Sequence, residues 1–397
     1  MKKNQLWLYL IPLVLFFASL GISTFVFRKL NKPVVIETEV TDVGQEPEED
    51  DSLIAIDNSM PRTQACPLNG VLYTQAEEDA WKARRPLAVM IENSVDARPQ
   101  SGLADADVVF EAVAEGGITR FMALFYCEAQ REEIELAPIR SARTYFINLA
   151  SGFNRPMYVH VGGANLEGPA NALGQLADYG WNGQNDINQF SVGYPTFIRD
   201  YNRIPGKDIA TEHTMTTSTE KLWAVAEKRG WTNMSPDTKV KGKVVEGTDW
   251  AEGYEGWTFV DAEPGTGSQT VSYNFWSGQP DFDVSWTYDA NKNAYLRSNG
   301  GQAATDLNNG EQLAYNNVIV MFADEKGPID ELKHMLYEVV GKGDGILFAG
   351  GKAQEINWSK KTRESELTFT DSTGKTLNIP RGNIWISVVP KGNKVTY

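Results

Sequence analysis

The chain has 397 residues, of which 42% are hydrophobic, and a formal net charge of -15. This length suits about two globular domains with accessory segments. The excess of acidic side chains argues against a nucleic-acid partner, because binding to a phosphate backbone requires a basic surface that displaces its counterions.

The first predicted element is a transmembrane helix. Residues 6–27 carry no charged side chain and, as a helix, would span roughly 33 Å, against about 30 Å for the hydrocarbon core of a bilayer. We therefore predict a membrane anchor over residues 1–29. The folded part is placed outside the membrane, because the tail before the helix is too short to form a domain. A cleavable signal peptide is the alternative, since Lys2 and Lys3 precede an apolar stretch.

An acidic linker is predicted next, over residues 30–61. This segment contains the run EPEEDD and almost no aromatic content. Such a composition is typical of a solvated, disordered spacer that carries a folded part away from a membrane surface. The alternative is an acidic tail that binds a partner.

Strands and helices alternate over residues 62–235. The apolar run LAVMIE predicts a buried strand, and DVVFEAVAEGGITRFMALFY predicts two strands joined at a Gly-Gly turn. Ser141 is placed to cap a helix that runs to about Phe153, and further helices are expected in GPANALGQLADYG and after Thr217. This alternation predicts an α/β domain with a mixed sheet and flanking helices.

Residues 236–397 have a different character. Short apolar runs such as VSWTYD, NNVIVMF and IWISVVP are separated by Gly, Asn and Asp turns. This pattern predicts a mostly β domain at the C-terminus.

The sharpest candidate site is a group of arginines in the first domain. Arg140, Ser141 and Arg143 lie at the predicted helix start, where free backbone N–H groups and the helix dipole favour an anion. The two guanidinium groups can hold a phosphate or carboxylate through paired hydrogen bonds. Arg120, on the adjacent predicted strand, adds a third guanidinium. We therefore predict an anion site at these residues.

Two carboxylates near Arg120 are the first candidate catalytic groups. Glu111 and Glu115 precede the turn that leads to Arg120, and they can hold a divalent cation or act as a general base. The alternative is structural: the arginines pair with Glu111, Glu115 and Asp107 in ion pairs that serve the fold alone.

Histidines supply further candidates. His160 and His213 can each act as an acid or a base near neutral pH, with a structural role as the alternative. His160 is soon followed by Gly162 and Gly163, which permit close approach of a ligand to the backbone. We include both glycines among the expected ligand-binding residues.

The sequence indicates no metal site and does not specify a cofactor. It contains no HExxH, paired CxxC, GxSxG or dinucleotide-binding fingerprint, so zinc peptidases, zinc ribbons, serine hydrolases and Rossmann enzymes have no support. The two cysteines, Cys66 and Cys127, predict a disulfide in an oxidising compartment, with two reduced thiols as the alternative.

The segments quoted above, together with PIRSARTYF, YVHVGG and EHTMTTSTEKLW, resemble the N-terminal domain of the YerB-type proteins, domain-of-unknown-function family 3048. DLNNGEQLAYNNVIV, GKGDGILFAGGKAQEINWSKK and IPRGNIWISVVP resemble the C-terminal domain of that family. The resemblance covers nearly everything after residue 66. It implies an architecture rather than an activity, because the family has none established. Many relatives resemble lipoproteins, whereas this chain lacks a lipid-attachment cysteine.

A weaker resemblance concerns three features in chain order: Arg120 on its predicted strand, the PIRSAR turn, and the pair Gly162-Gly163. These features are similar to the LytR-CpsA-Psr ligases, whose arginines hold a polyprenyl pyrophosphate. Those enzymes carry an aspartate soon after each arginine, whereas Phe121 and Met122 follow Arg120 and Ser141 follows Arg140 here. This departure argues against metal-assisted transfer, and the likeness is one of fold.

The sequence leaves three functional hypotheses. The first is a bacterial, extracytoplasmic, membrane-anchored envelope protein that binds an anionic cell-wall or lipid-linked ligand through its arginines. The second is an envelope phosphotransferase or glycan-processing enzyme that uses Glu111 or Glu115. The third is a noncatalytic scaffold for another envelope protein. Crowded arginines already paired within the protein favour the scaffold, and an open cleft with unpaired arginines favours the enzyme.

Overall fold

The computed structural model describes residues 57, 59–235, 237–240, 242–266 and 269–397, which belong to one compact unit. The predicted anchor and almost all of the predicted linker lie outside these residues. The expected fold class included a single N-terminal transmembrane helix, and this part is corrected. No helix in the described ranges is long and apolar enough to cross a membrane, and residues 6–27 fall outside them.

The first region alternates strands and helices, as predicted. In chain order its elements are β1 (Gln64–Ala65), β2 (Leu72–Tyr73), α1 (Gln75–Lys82), β3 (Leu87–Glu92), β4 (Val108–Glu115), β5 (Ile118–Phe125), β6 (Glu135–Leu136), α2 (Thr144–Ala150), β7 (Met157–His160), α3 (Ala172–Asp178), β8 (Asp186–Asn188), α4 (Gln189–Val192), β9 (Ile198–Arg199), β10 (Met215–Ser218) and α5 (Thr219–Lys228).

The second region is built from strands, which confirms the predicted mostly β character. Its elements are β11 (Thr238–Val240), β12 (Lys243–Val245), β13 (Thr258–Val260), β14 (Thr270–Tyr273), β15 (Val284–Asp289), β16 (Ala294–Asn299), β17 (Gln302–Ala303), β18 (Ala314–Tyr315), β19 (Asn317–Ala323), β20 (Glu325–Lys326), β21 (Leu336–Tyr337), β22 (Gly341–Ala349), β23 (Lys352–Lys360), β24 (Thr368–Asp371), β25 (Asn378–Pro380), β26 (Ile384–Pro390) and β27 (Val395–Thr396).

A ten-stranded sheet runs through both regions, in the order β24-β23-β22-β19-β26-β4-β5-β3-β7-β8. The two regions meet where β26 pairs in parallel with β4, with Ile384 opposite Val108 and Ser387 opposite Glu111. The domain boundary between residues 235 and 236 stays a prediction, but strands from both sides of it share this sheet.

A second sheet packs against the first through aromatic side chains. Its order is β17-β16-β15-β14-β27, with β18 also paired to β16. Trp286 from β15 and Trp385 from β26 are both buried, and their rings lie 5.4 Å apart in an edge-to-face contact. Such aromatic packing buries large apolar surface, so it joins the two sheets in one core.

The predicted hairpin is confirmed and positions the strand arginine. β4 ends at Glu115 and β5 begins at Ile118, with Gly116 and Gly117 between them at positive φ. Two consecutive residues at positive φ are what a tight hairpin turn requires, and glycine adopts that conformation without a steric cost. The hairpin therefore sets Arg120 two residues into β5.

The predicted helix start is corrected. Helix α2 begins at Thr144 rather than near Ser141, and its N-cap is Arg143, whose side chain makes no capping hydrogen bond. The backbone before it is extended and bonded to other strands: Arg140 N–H donates to the carbonyl of Met90. These long-range hydrogen bonds hold the segment outside the helix, so Ser141 does not cap it.

A disulfide joins Cys66 to Cys127, with their Cα atoms 6.0 Å apart. This confirms the predicted bridge. Cys66 directly follows β1, and Cys127 lies two residues after the end of β5. The disulfide therefore fixes the beginning of the folded region to the central sheet.

Candidate functional site

The structure brings the predicted arginines together. Arg120 on β5 lies directly opposite Glu92 on β3, and the segment carrying Arg140 and Arg143 runs beside the end of β3. We call Arg120, Arg140 and Arg143, with their carboxylate partners Glu92 and Glu115, the arginine cluster.

Glu115 bridges two of the guanidinium groups. Its Oε1 accepts a hydrogen bond from Arg120 Nη2 at 2.7 Å, and its Oε2 accepts from Arg143 Nε at 3.2 Å and from Arg143 Nη2. The backbone supplies further acceptors, because Arg120 Nη1 donates to the carbonyl of Ser141 and Arg143 Nη1 to that of Ala142. Both arginines are therefore held by the protein itself.

Glu92 holds the third guanidinium and a histidine. Arg140 Nε lies 3.1 Å from Glu92 Oε1 as an ion pair, although its N–H does not meet hydrogen-bond geometry. His213 Nδ1 lies 2.8 Å from Glu92 Oε2. Arg140 also reaches the turn before β10, where its Nη1 donates to the carbonyl of Glu212 at 3.3 Å. His213 thus belongs to the same cluster, as a neighbour of Glu92.

Burial and neighbouring charges act in opposite directions on the groups of the cluster. Burial acts to raise the pKa of Glu115, but Arg120 and Arg143 outweigh it and lower that pKa to about 2. Burial acts to lower the pKa of Arg120, and Glu115 and Glu92 outweigh it and raise it. Burial and the charge of Arg120 lower the pKa of Arg143. Glu115 is ionised at neutral pH and is a weak base there.

Solvent reaches the cluster at two side chains. Glu115 is 25% exposed and Arg140 is 24% exposed, whereas the Arg120 and Arg143 side chains are 2% and 7% exposed. A ligand that contacts the cluster would therefore meet Arg140 and the open edge of Glu115 first.

The predicted glycines lie against the arginine segment. The carbonyl of Gly162 accepts a hydrogen bond from Ala142 N–H at 3.0 Å, and Gly163 packs where a side chain would collide with Ala142 and Leu173. Gly162 has φ +58, which favours glycine, and its N–H donates to Asn188 Oδ1. These contacts account for both glycines through packing, and their role in ligand binding stays a prediction.

Glu111 lies away from the arginine cluster. It shares a face of the sheet with Phe121, which is opposite it in the register, whereas Arg120 projects to the other face. Both its oxygens accept from Arg297 Nη2 at 2.9 Å, Oε1 also accepts from Thr119, and neither Glu111 nor Arg297 is exposed. This placement favours a structural role for Glu111.

His160 is also buried and engaged. Its Nδ1 lies 2.6 Å from the carbonyl of Gly162, and its Nε2 lies 2.6 Å from Asp186 Oδ1. With no exposed surface on the ring, the catalytic role predicted for it has no route to a ligand in this arrangement.

Two important partners were not predicted from the sequence. Glu92 ends the buried run LAVMIE, where nothing marks it as a partner for Arg140 and His213. Arg297 lies 186 residues from Glu111, in the second predicted domain. A charged residue at the end of the apolar run LAVMIE is a weak signal of a buried partner for Glu92, whereas Arg297 stands beside Ser298 and Asn299 and has no such signal.

Among the described residues, one group of metal-type ligands lies close together, formed by Cys66, Asp107 and Cys127. Both sulfur atoms are already bonded to each other, so Asp107 is the one donor left. Asp107 accepts hydrogen bonds from the backbone N–H groups of Tyr126 and Cys127. The group is therefore a structural junction at the disulfide.

A cavity of about 470 Å³ lies outside the arginine cluster. It is lined by Arg85, Tyr179, Trp250 and Arg363 among others. The Arg85 guanidinium donates to the carbonyls of Thr232, Arg155 and Gln184, so its hydrogen bonds are used within the fold.

The fold and the cluster together define a class of protein: an α/β region and a β region joined by one sheet, with a mostly buried charged cluster at the hairpin end. The chain belongs to the DUF3048 family. Its residues 73–232 match the model described as "Protein of unknown function (DUF3048) N-terminal domain", and residues 271–386 match the corresponding C-terminal domain. This confirms the resemblance seen in the sequence.

Two comparisons with Bacillus subtilis agree with this assignment. The chain is 31% identical over 328 residues to the protein named "Putative lipoprotein YerB" of strain 168, covering 82% of this chain and 86% of that protein. The crystal structure of YerB protein from Bacillus subtilis matches with a TM-score of 0.65 and 28% identity. That match covers 84% of this chain and all of the crystallised chain.

Proposed function

We propose that this chain is an extracytoplasmic cell-envelope protein that binds an anionic cell-wall or lipid-linked ligand at the arginine cluster. Two observations support the envelope placement. The relative described above is named as a lipoprotein, and the Cys66–Cys127 disulfide suits an oxidising compartment. Both cysteines of the sequence are used in this bridge, so neither thiol is available to carry a lipid.

The observation that carries the ligand proposal is the charge balance of the cluster. Three guanidinium groups share two carboxylates, Glu92 and Glu115, in a chain whose net charge is -15. The guanidinium groups of the cluster exceed its carboxylates by one, with the exposed Glu212 as a further negative charge near Arg140, and Arg140 is the guanidinium that solvent reaches most easily. A phosphate or carboxylate beside Arg140 would balance the charge of that guanidinium through charge-assisted hydrogen bonds.

Exposed aromatic side chains beside the cluster support a ligand with an apolar part. Phe190 is 75% exposed in α4, the helix that follows β8, and Tyr194 is 82% exposed two residues after that helix. The Phe190 ring lies over Gly162, 3.0 Å from where a Cβ atom would stand, and Gly162 is bonded to the arginine segment. A contiguous exposed apolar patch is typical of an interaction site, and the position of Phe190 beside Gly162 supports a lipid-linked anion.

The test is binding of a series of alkyl phosphates, from ethyl to octyl, measured by calorimetry. We expect phosphate binding that Arg140→Ala weakens by about tenfold or more, the effect of losing one charge-assisted hydrogen bond. Arg381→Ala is the matched control, because Arg381 is 27% exposed and paired with the exposed Asp261. A lipid-linked ligand predicts that the affinity of the parent protein rises with the length of the alkyl chain. In the double variant Phe190→Ser/Tyr194→Ser the affinity should then be independent of that length.

A scaffold role is the second candidate, and the paired state of the buried arginines favours it. Arg120 and Arg143 are almost fully buried and bonded to Glu115, as expected of groups that serve the fold. If no phosphate or carboxylate probe binds the parent protein, the ligand proposal fails and the scaffold remains. The low pKa of Glu115 makes it a weak base at neutral pH, so no observation favours the enzyme hypothesis.

A further inference from the structure

We propose a second binding site, independent of the arginine cluster, in a cavity on the opposite face of the central sheet. The cavity has a volume of about 290 Å³, and its wall includes Arg98, Phe121, Arg297 and Asn299. Phe121 follows Arg120 on β5, and consecutive strand residues project to opposite faces, so the two sites are separated by the sheet. The ligand class that the wall fits is a small monocarboxylate.

Two residues of this wall, Arg297 and Asn299, each carry a buried N–H donor that has no partner within the described residues. Arg297 uses Nη2 for Glu111 and Nε for Asn299 Oδ1 at 3.0 Å, and its Nη1 has no hydrogen-bond partner. Asn299 uses its oxygen in that bond, and its Nδ2 is likewise unpartnered. Both residues are at least nine-tenths buried, with Arg297 fully covered and Asn299 5% exposed. A buried donor without an acceptor is costly, so a ligand oxygen that meets it would be stabilising.

The donors are held in fixed positions before any ligand arrives. The guanidinium of Arg297 stacks over Trp385 at 4.2 Å and Trp286 at 5.1 Å, measured to the ring centroids. Arg297 and Asn299 are two residues apart on β16, so they project to the same face of that strand. A rigid pair of donors loses little conformational freedom on binding, which favours affinity for a small ligand.

The charge of the wall selects an anion. Arg98 donates to Asn93 Oδ1 and to the carbonyls of Asn93 and Asp281, and it has no carboxylate ion-pair partner in the described chain. The two arginine charges are matched in number by Glu111 and Asp281, but Asp281 is exposed at the rim, where solvent screens its charge, so the inner wall keeps a positive excess. Because both unpartnered groups are donors, the ligand must supply acceptors. A planar carboxylate supplies two.

The cavity size limits the rest of the ligand. Its volume of about 290 Å³ lies just below the usual range for ligand pockets, which begins at about 300 Å³, so only a small ligand fits. Phe121, Pro99 and Leu313 contribute apolar wall, so a short aliphatic chain or one ring would pack there. Acetate, propionate and benzoate are suitable probes at neutral pH, and benzamide is the neutral counterpart of benzoate.

The experiment is a titration of the full chain, followed through the side-chain amide signal of Asn299 in ¹⁵N NMR spectra and through thermal unfolding. We expect benzoate to shift the Asn299 signal and to raise the unfolding temperature. Benzamide, which has no charge, should bind at least about tenfold more weakly than benzoate. No response to any of the three carboxylates would overturn the proposal and indicate a cavity that holds water alone.

Asn299→Asp is the decisive variant. It keeps the oxygen that accepts from Arg297 Nε, so that hydrogen bond is retained, but it replaces the unpartnered donor by a negative charge. We expect benzoate affinity to fall by about tenfold or more, while Gln302→Glu, which adds the same charge at an exposed position of the wall, changes it by less than about threefold. Equal loss in both variants would overturn the specific role of Asn299.

A second variant keeps the test valid if Asn299→Asp does not fold. Arg98→Gln removes a positive charge from the wall without disturbing the Glu111–Arg297 pair, and it should weaken benzoate by about fivefold. Unchanged affinity in Arg98→Gln would contradict the anion selectivity inferred from the wall.

Discussion

Arg297 and Glu111 form a closed ion pair between the two sheets, with Arg297 Nη2 2.9 Å from each carboxylate oxygen and no exposed surface on either side chain. The carboxylate also accepts from Trp385 Nε1 at 3.1 Å. Arg297 belongs to β16, Glu111 to β4 and Trp385 to β26. One buried charge pair therefore links three strands that are distant in sequence.

Removing one partner of this pair should destabilise the protein strongly. Arg297→Ala would leave the Glu111 carboxylate buried without a counter-charge, which costs about 3–5 kcal/mol. Urea unfolding of the variant beside the parent protein measures this. Asp261→Ala is the control, because Asp261 is 86% exposed in its pair with Arg381 and should change the free energy of unfolding by less than about 1 kcal/mol. A loss below that level in Arg297→Ala would contradict the prediction.

The disulfide should stabilise the fold by constraining the unfolded chain. Cys66 and Cys127 are 61 residues apart, and closing a loop of that length corresponds to about 4 kcal/mol in the chain-entropy model. We expect Cys66→Ser/Cys127→Ser to lose most of this free energy of unfolding. Thiol titration of the denatured parent protein is an independent test of the bridge. We expect no free thiol before reduction and two free thiols after reduction. Two thiols without reductant would show that the bridge is not formed.

Two arginines of the cluster should differ in their effect on stability. Arg120→Ala removes hydrogen bonds to Glu115 and to the Ser141 carbonyl in a buried setting, and about 3 kcal/mol should be lost. Arg140→Ala removes an ion pair with Glu92, whose carboxylate is 4% exposed but keeps His213 and the charge of Arg120 as partners, so the loss should be smaller, about 1–2 kcal/mol. Thermal unfolding of both variants compares them directly. Equal losses would mean that Arg140 is as structural as Arg120.

Local signals in the sequence were sufficient for the elements near the arginine cluster. The Gly116-Gly117 pair, between two alternating apolar runs, predicted the hairpin that carries Arg120. An even cysteine count predicted the disulfide. These features depend on residues close in the chain or on simple chemistry, so they could be derived without the fold.

Features that depend on distant strands could not be derived in the same way. Ser141 has the right residue type for a helix cap, but hydrogen bonds from its neighbours to β3 and to Gly162 hold that segment extended. Glu111 was grouped with the arginine cluster because it is close to Arg120 in sequence. The strand alternation places it on the other face, where Arg297 meets it. Long-range pairing therefore decided which charges meet.

The arginine cluster should also give the protein a characteristic dependence on pH. Arg120 and Arg143 lower the pKa of Glu115 from its ordinary 4.5 to about 2, against the opposing effect of burial. Because the folded pKa is the lower one, the carboxylate contributes stability that is fully present above about pH 4.5 and is lost as the pH falls towards 2. The change in pKa corresponds to about 3 kcal/mol.

Glu115→Gln tests this dependence, because the amide keeps the size of the side chain and does not titrate. At pH 7 the variant should be less stable than the parent protein by up to about 3 kcal/mol, and the difference should shrink as the pH is lowered from 4.5 towards 2. Urea unfolding at a series of pH values measures the two curves. Glu364→Gln, at a position 63% exposed, should show no such convergence. If the difference between Glu115→Gln and the parent protein stayed constant across that range, the guanidinium groups would not be holding Glu115 in its ionised form.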